Sequence, residues 1–174
     1  MRKRSDILVS LYVALIAFIA VVGFLHDAKT LVSNEYDIAS NIKVLTESDD
    51  NNADIKAIAT DHINIVLSHG KSWSYSADSK SSITIYNEAS NKAGSGGVLV
   101  SIMAFSLNDA GYKDFPDYSV IGEAEGKRYI AVYPTDIQFD PENKQAMEDY
   151  QAVMQEINKI RNNDAESPVV IKGR

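Results

Sequence analysis

The chain of 174 residues contains no cysteine. That excludes disulfides, thiolate metal sites, thiol nucleophiles and a lipid-modified cysteine. It has no Asn-x-Ser/Thr sequon, only four prolines and a single tryptophan. It also lacks a basic stripe. Seventeen basic residues stand against 24 acidic ones, a net charge of −7. Removing the first 25 residues takes away Arg2, Lys3, Arg4 and Asp6, leaving 14 basic against 23 acidic, or −9. So acidic a body repels phosphate backbones, which excludes nucleic acid as a partner, and it does not lie flat on an anionic bilayer.

What the sequence does have is one long apolar run. Ile7 to Leu25 is 19 residues without a charge, 13 of them Leu, Ile, Val or Phe. As a helix at ~1.5 Å per residue it spans about 28 Å, close to a hydrocarbon core. The expectation is a single-pass N-terminal transmembrane helix over residues 1–25. Arg2, Lys3 and Arg4 precede the run, so the N-terminus stays in the cytoplasm and the rest lies outside the plasma membrane. A cleavable signal peptide competes, with weak sites at Val21-Val22-Gly23 or His26-Asp27-Ala28.

Residues 26–54 read as a helical stalk and polar linker. Leu31, Ile38, Ile42 and Leu45 make an apolar seam at helical spacing, and Thr46 to Asp54 is polar and turn-rich. Residues 55–161 read as an α+β domain, a mostly antiparallel sheet of about six or seven strands. Ile63, Ile65 and Leu67 alternate with Asn64 and Val66, Trp73, Tyr75 and Ala77 with serines, and Ile83 and Ile85 with Ser82, Thr84 and Tyr86. Val98 to Phe105 is apolar except for Ser101, as in a central strand. Ser119 to Glu125 and Lys127 to Tyr133 flank Gly126 as a hairpin. A long C-terminal helix closes the sheet, with Asp140 as N-cap, Pro141 at its first position and an apolar stripe of Met147, Tyr150, Met154, Ile157 and Ile160. Asn162 and Asn163 end it. Ile55 to Thr60 offers a second helix. Residues 162–174 read as a frayed tail.

Chemistry-bearing patterns are few. His62 and His69 flank one strand at an odd spacing, which sets them on opposite faces and is wrong for one metal. Ser68-His69-Gly70-Lys71 and Ser40-Asn41-Ile42-Lys43 match S-x-x-K without the companion motifs of serine acyl-enzymes. Asp50, Asn52, Asp54 and Asp61 fall at positions 1, 3, 5 and 12 of a calcium loop. Ile55 stands where that loop needs glycine. Gly94-Ser95-Gly96-Gly97 precedes a strand rather than a helix, so it reads as a flexible turn, not a phosphate cradle. Glu123 with Glu125, and Asp136 with Asp140, are close acid pairs that solvation explains. Trp73 reads as core or rim packing.

The strand from Ile63 to Leu67 leads to Trp73, then to Gly96-Gly97-Val98-Leu99-Val100-Ser101-Ile102 and a strand ending Tyr133-Pro134-Thr135-Asp136. Over residues 60–161 this resembles uncharacterised exported or membrane-anchored proteins of Gram-positive bacteria. These often show a P-x-x-W turn, a G-G-x-L-F-S-I strand and a Y-P-T-D segment. The layout is also similar to PsbP-like α-β-α sandwich domains. The chain departs at Ser68-His69-Gly70-Lys71-Ser72, which has no proline, and at Val100, where the motif has an aromatic residue. The resemblance implies an extracytoplasmic, non-enzymatic module. The expected function is binding or accessory, without cofactor. The alternative is an exported hydrolase with an unrecognised site.

Overall fold

The computed structural model describes residues 38–39, 41–48, 54–79 and 81–172. The apolar run Ile7 to Leu25 lies outside them. Among the described residues no helix is long and apolar enough to cross a membrane. The fold is mostly β, and the α+β expectation of one sheet is corrected to two antiparallel sheets.

The first sheet has the order β1-β2-β3-β9, with β1 Lys43–Ser48, β2 Asp54–Ala59, β3 Ile63–Leu67 and β9 Val169–Ile171. The second has the order β4-β5-β6-β8-β7, with β4 Trp73–Ser79, β5 Ser82–Asn87, β6 Val98–Ser106, β7 Tyr118–Ala124 and β8 Lys127–Val132. A short helix α1 (Glu88–Lys92) and a 3-10 turn (Gly111–Asp114) link strands, and α2 (Lys144–Arg161) is the main helix.

Three expectations fail in the first sheet. The helical seam breaks because Asn41 takes a left-handed φ of 54° and its amide binds the Asp61 carboxylate at 2.6 Å. That contact brings β1 alongside β2, inside the range read as stalk and linker. The Ile55 to Thr60 helix is strand β2 instead. Ile55 and Ile58 are three apart, a helical spacing, but pairing with both β1 and β3 overrides it. The frayed tail contains β9, whose Val169 and Ile171 are buried and sit opposite Ile65 and Ile63.

The second sheet follows the sequence more closely. Tyr129 and Ala131 point to the core, opposite Ala104 and Ile102 on β6. Glu125 and Gly126, at φ 53° and 74°, make the two-residue turn between β7 and β8. Positive φ at both positions is what a type I′ hairpin requires. The glycine run before β6 is held rather than flexible. Gly97 donates to the Gln138 carbonyl and accepts from Asn87 N. At its φ of +76° a Cβ would stand 2.6 Å from the Asn87 oxygen, so only glycine fits.

Helix α2 starts three residues later than Asp140. Asn143 is the N-cap, its side chain accepting from Ala146 N, while Asp140 caps Glu142 N in the preceding turn. Asn162 ends the helix as expected. Tyr150, Val153, Ile157 and Ile160 join one core with Ile58, Ile63, Ile65 and Leu67 of the first sheet and Ile83, Ile85, Val100 and Ile102 of the second. Helix and first sheet thus cover the same face of the five-stranded sheet.

Candidate functional site

Period two sends Ile58, Ile63, Ile65, Val169 and Ile171 of the first sheet inward. Several outward positions of β1 to β3 and β9 are apolar as well, beside the polar Lys43 and Asn64. Leu45, Ala57 and Val66 lie directly opposite one another across β1, β2 and β3, and Ala59, Asn64 and Val170 form the neighbouring row. Leu45 is 59% exposed, Val66 45% and Val170 56%. A strand with one solvated face normally places polar residues there. Leu, Ala and Val in adjoining rows there present an exposed apolar patch, the feature that marks an interaction site on a protein surface.

The outer face of the second sheet differs. Ser74, Thr84, Tyr86 and Ser101 occupy it, with the Thr84 and Ser101 hydroxyls 2.9 Å apart. Its far end is packed by its own rings. Phe105, Tyr112, Phe115 and Tyr118 stack edge-on, and Arg128 lies 5.0 Å over Tyr112 while ion-pairing with Glu123. These groups satisfy one another.

The residues singled out by sequence are dispersed. Asp50 and Asn52 of the calcium set lie outside the described residues. Asp54 begins β2 and Asp61 follows its end, with the strand extended between them at ~3.3 Å per residue. Asp54 instead anchors the turn before β4, accepting from Lys71 N at 2.7 Å. Asp61 holds Asn41. Among the described residues no group of three or more His, Asp or Glu is placed to hold a metal ion. His62 pairs with Glu125 at 3.0 Å, and His69 sits in the turn that Trp73 closes through its indole N–H to Ser68 O. Ser68 and Lys71 therefore lie on a turn, not on a helix. Ser40 lies outside the described residues and Lys43 opens β1. Glu123 is engaged by Arg128, and Asp136 accepts from Gln138. Trp73 is fully buried, so it packs the core.

Sequence reading passed over Lys56. It sits on the inward face opposite Leu67, 4.5 Å over the Trp73 ring, and donates to the Trp73 carbonyl. Burial lowers its pKa, against the pull of Glu88 and Asp54. Tyr150, buried against β6 and donating to Val98 O at 2.9 Å, is pushed up to about 12 by burial. Lys56 and Tyr150 both lie in packing contacts.

A cleft of about 410 Å³ opens beside the end of α2, lined by Ile121, Ile160, Asn163, Asp164, Ser167 and Ile171. Its one carboxylate, Asp164, accepts from Glu166 N and so shapes its own loop. Lys56 and Tyr150 are not among the residues that line it. No family model, no curated protein and no solved structure matches the chain.

Proposed function

We propose that the chain is a non-enzymatic binding module. It is held at the plasma membrane by Ile7 to Leu25, with its N-terminus in the cytoplasm, and it docks an extracytoplasmic protein through the outer face of the four-stranded sheet. The observation that carries the reading is the apolar surface of Leu45, Val66 and Val170, about half exposed on one sheet face. Covering each of them stabilises a complex by about 1 kcal/mol. The body's charge of −9 disfavours an anionic lipid surface as the occupant and favours a protein. The basic residues before the apolar run support the orientation.

Cysteine labelling tests both parts, because the chain has no cysteine of its own. Ile137 is 68% exposed and lies on neither sheet. An Ile137→Cys chain should react with a membrane-impermeant maleimide on intact cells of the native host. Val66→Cys and Val170→Cys should react about tenfold more slowly on those cells than in purified protein, as ~90% occupancy of the face requires. Labelling of Ile137→Cys only after lysis overturns the placement. Equal rates for Val66→Cys in cells and in purified protein overturn the docking face.

A further inference from the structure

We propose that the cleft beside the end of α2 is the anchor pocket of the docking face, taking from the docked protein an apolar side chain followed by a basic one. This rests on the docking reading and deepens it by naming the chemistry of the partner's contact segment.

The cleft and the face meet at one residue. Val169, Val170 and Ile171 all line the cleft, although successive side chains of a strand point to opposite sides. The cleft therefore passes along the edge of β9 rather than over one of its faces. Val170 belongs to the outer row with Ala59 and Asn64, whereas Val169 and Ile171 are buried in the core. A segment lying across Val170 can thus lower one side chain around the edge of β9 onto the cleft floor.

That floor is apolar and fixed. Ile160 of α2 and Val169 and Ile171 of β9 are part of the core, and Ile121, at the irregularity in β7, packs against it. The volume of about 410 Å³ falls within the roughly 300–1,000 Å³ of ligand pockets. A pocket that receives one bulky apolar side chain is where the binding energy of a protein interface concentrates.

The rim is polar, already built and negative. Asn163, at φ 54°, closes α2 in a Schellman turn: its N–H donates to Ile160 O, and the Asp164 N–H donates to Lys159 O at 2.9 Å. Asp164 then accepts from Ser167 N through its carbonyl and from Glu166 N through its carboxylate. These bonds hold the loop before anything binds, which spares the complex the cost of ordering it. Asp164 is the one charged residue among those lining the cleft, and the last turn of α2 adds the negative end of its dipole. The two basic side chains of that turn, Lys159 and Arg161, are committed to Glu166 and Asp117. The cleft therefore selects a cation, in keeping with the acidic body around it.

Two blocked dipeptides, N-acetyl-tryptophanyl-arginine amide and N-acetyl-tryptophanyl-glutamate amide, test the pocket on the purified full-length chain. The first should bind with a Kd of about 1 mM or below and move the amide resonances of residues 163–167 and 169–171. The second should bind about fivefold more weakly or worse. Asp164→Asn keeps the acceptor for Glu166 N and removes the charge, so the two dipeptides should then bind within about twofold of each other. Ala165 lines the cleft, so Ala165→Trp places an indole in it and should weaken the first dipeptide by about tenfold. Far-ultraviolet circular dichroism confirms that each variant is folded. No binding by the first dipeptide, equal affinities for the two in the unchanged chain, or an Ala165→Trp chain that binds the first as well as the unchanged chain does, overturns the proposal. Shielding of Val66→Cys in cells reads the face alone. A shielded face beside a cleft that selects no cation sinks the anchor and leaves the docking reading standing.

Discussion

At the scale of single residues, polar atoms decide where chain segments are fastened. The Thr60 hydroxyl accepts from His62 N and Ile63 N and sets the entry to β3. Asn87 is fully buried yet caps α1 through Ser90 N and donates to Ser72 O, tying that helix to the start of β4. Arg161 stacks 4.2 Å over Tyr133 and pairs with Asp117 at 2.9 Å, which fixes the end of α2 against β7. Tyr150 joins the middle of this system to β6. Its phenol keeps its proton well above the 10.0 of an unfolded tyrosine. The stability it contributes is therefore fully present below pH 10 and is lost as pH rises from 10 through about 12. Tyr150→Phe removes the bond to Val98 O and should destabilise the protein by about 1 kcal/mol at neutral pH. Because phenylalanine has nothing to ionise, the gap to wild type should narrow above pH 10. Thermal midpoints measured from pH 7 to 11.5 check this, and a gap that widens contradicts the assigned burial.

At the scale of elements, the hydrophobic pattern exposed some strands and concealed others. The sheet β4 to β8 was legible because Ile83, Ile85, Tyr129, Ala131 and the run from Val98 keep an unbroken period of two or of full burial. Helix α2 was legible from its stripe, although its start was not. Asp140 and Asn143 are both good caps, and only the fold chose the second. Strands β1, β2 and β9 were hidden. In β2 the inward neighbour of Ile58 is a lysine whose ammonium lies over Trp73, so the alternation reads as noise. In β9 three residues are too few to show any period. The candidate surface was concealed for the same reason, since it is assembled from those strands. β9 is nonetheless integral to the core. Ending the chain after Asp164 removes Val169 and Ile171 and bares Ile63, Ile65 and Ile160. The expected loss is about 3–5 kcal/mol, seen as a lower urea midpoint at constant protein concentration. A truncated chain as stable as the whole one would restore the reading of a frayed tail.

At the scale of the molecule, the two sheets are not independent, because their inward side chains and those of α2 form one contiguous core. The chain also visits the first sheet twice. It lays down β1 to β3 before the second sheet is built and returns with β9 after α2. Unfolding should therefore be a single transition. Fluorescence of Trp73, which is on β4, and the far-ultraviolet signal of both sheets should share one urea midpoint. Ile65→Ala, made in the first sheet, should lower that midpoint for both probes by the equivalent of about 2–4 kcal/mol. Two separated transitions would show that the sheets hold separate cores.

The sequence alone determined the chemistry that is excluded by lack of cysteine and by acidic charge, the apolar run Ile7 to Leu25, and the strands and helix whose periodicity is local. Only the tertiary structure decided that Lys43–Ser48, Asp54–Ala59 and Val169–Ile171 are strands of one sheet, and that Leu45, Val66 and Val170 share its outer face. The reason is physical. Periodicity records which way a residue points relative to its neighbours in the chain, whereas a sheet face is made by pairing residues more than a hundred positions apart, as Ile63 and Ile171 are.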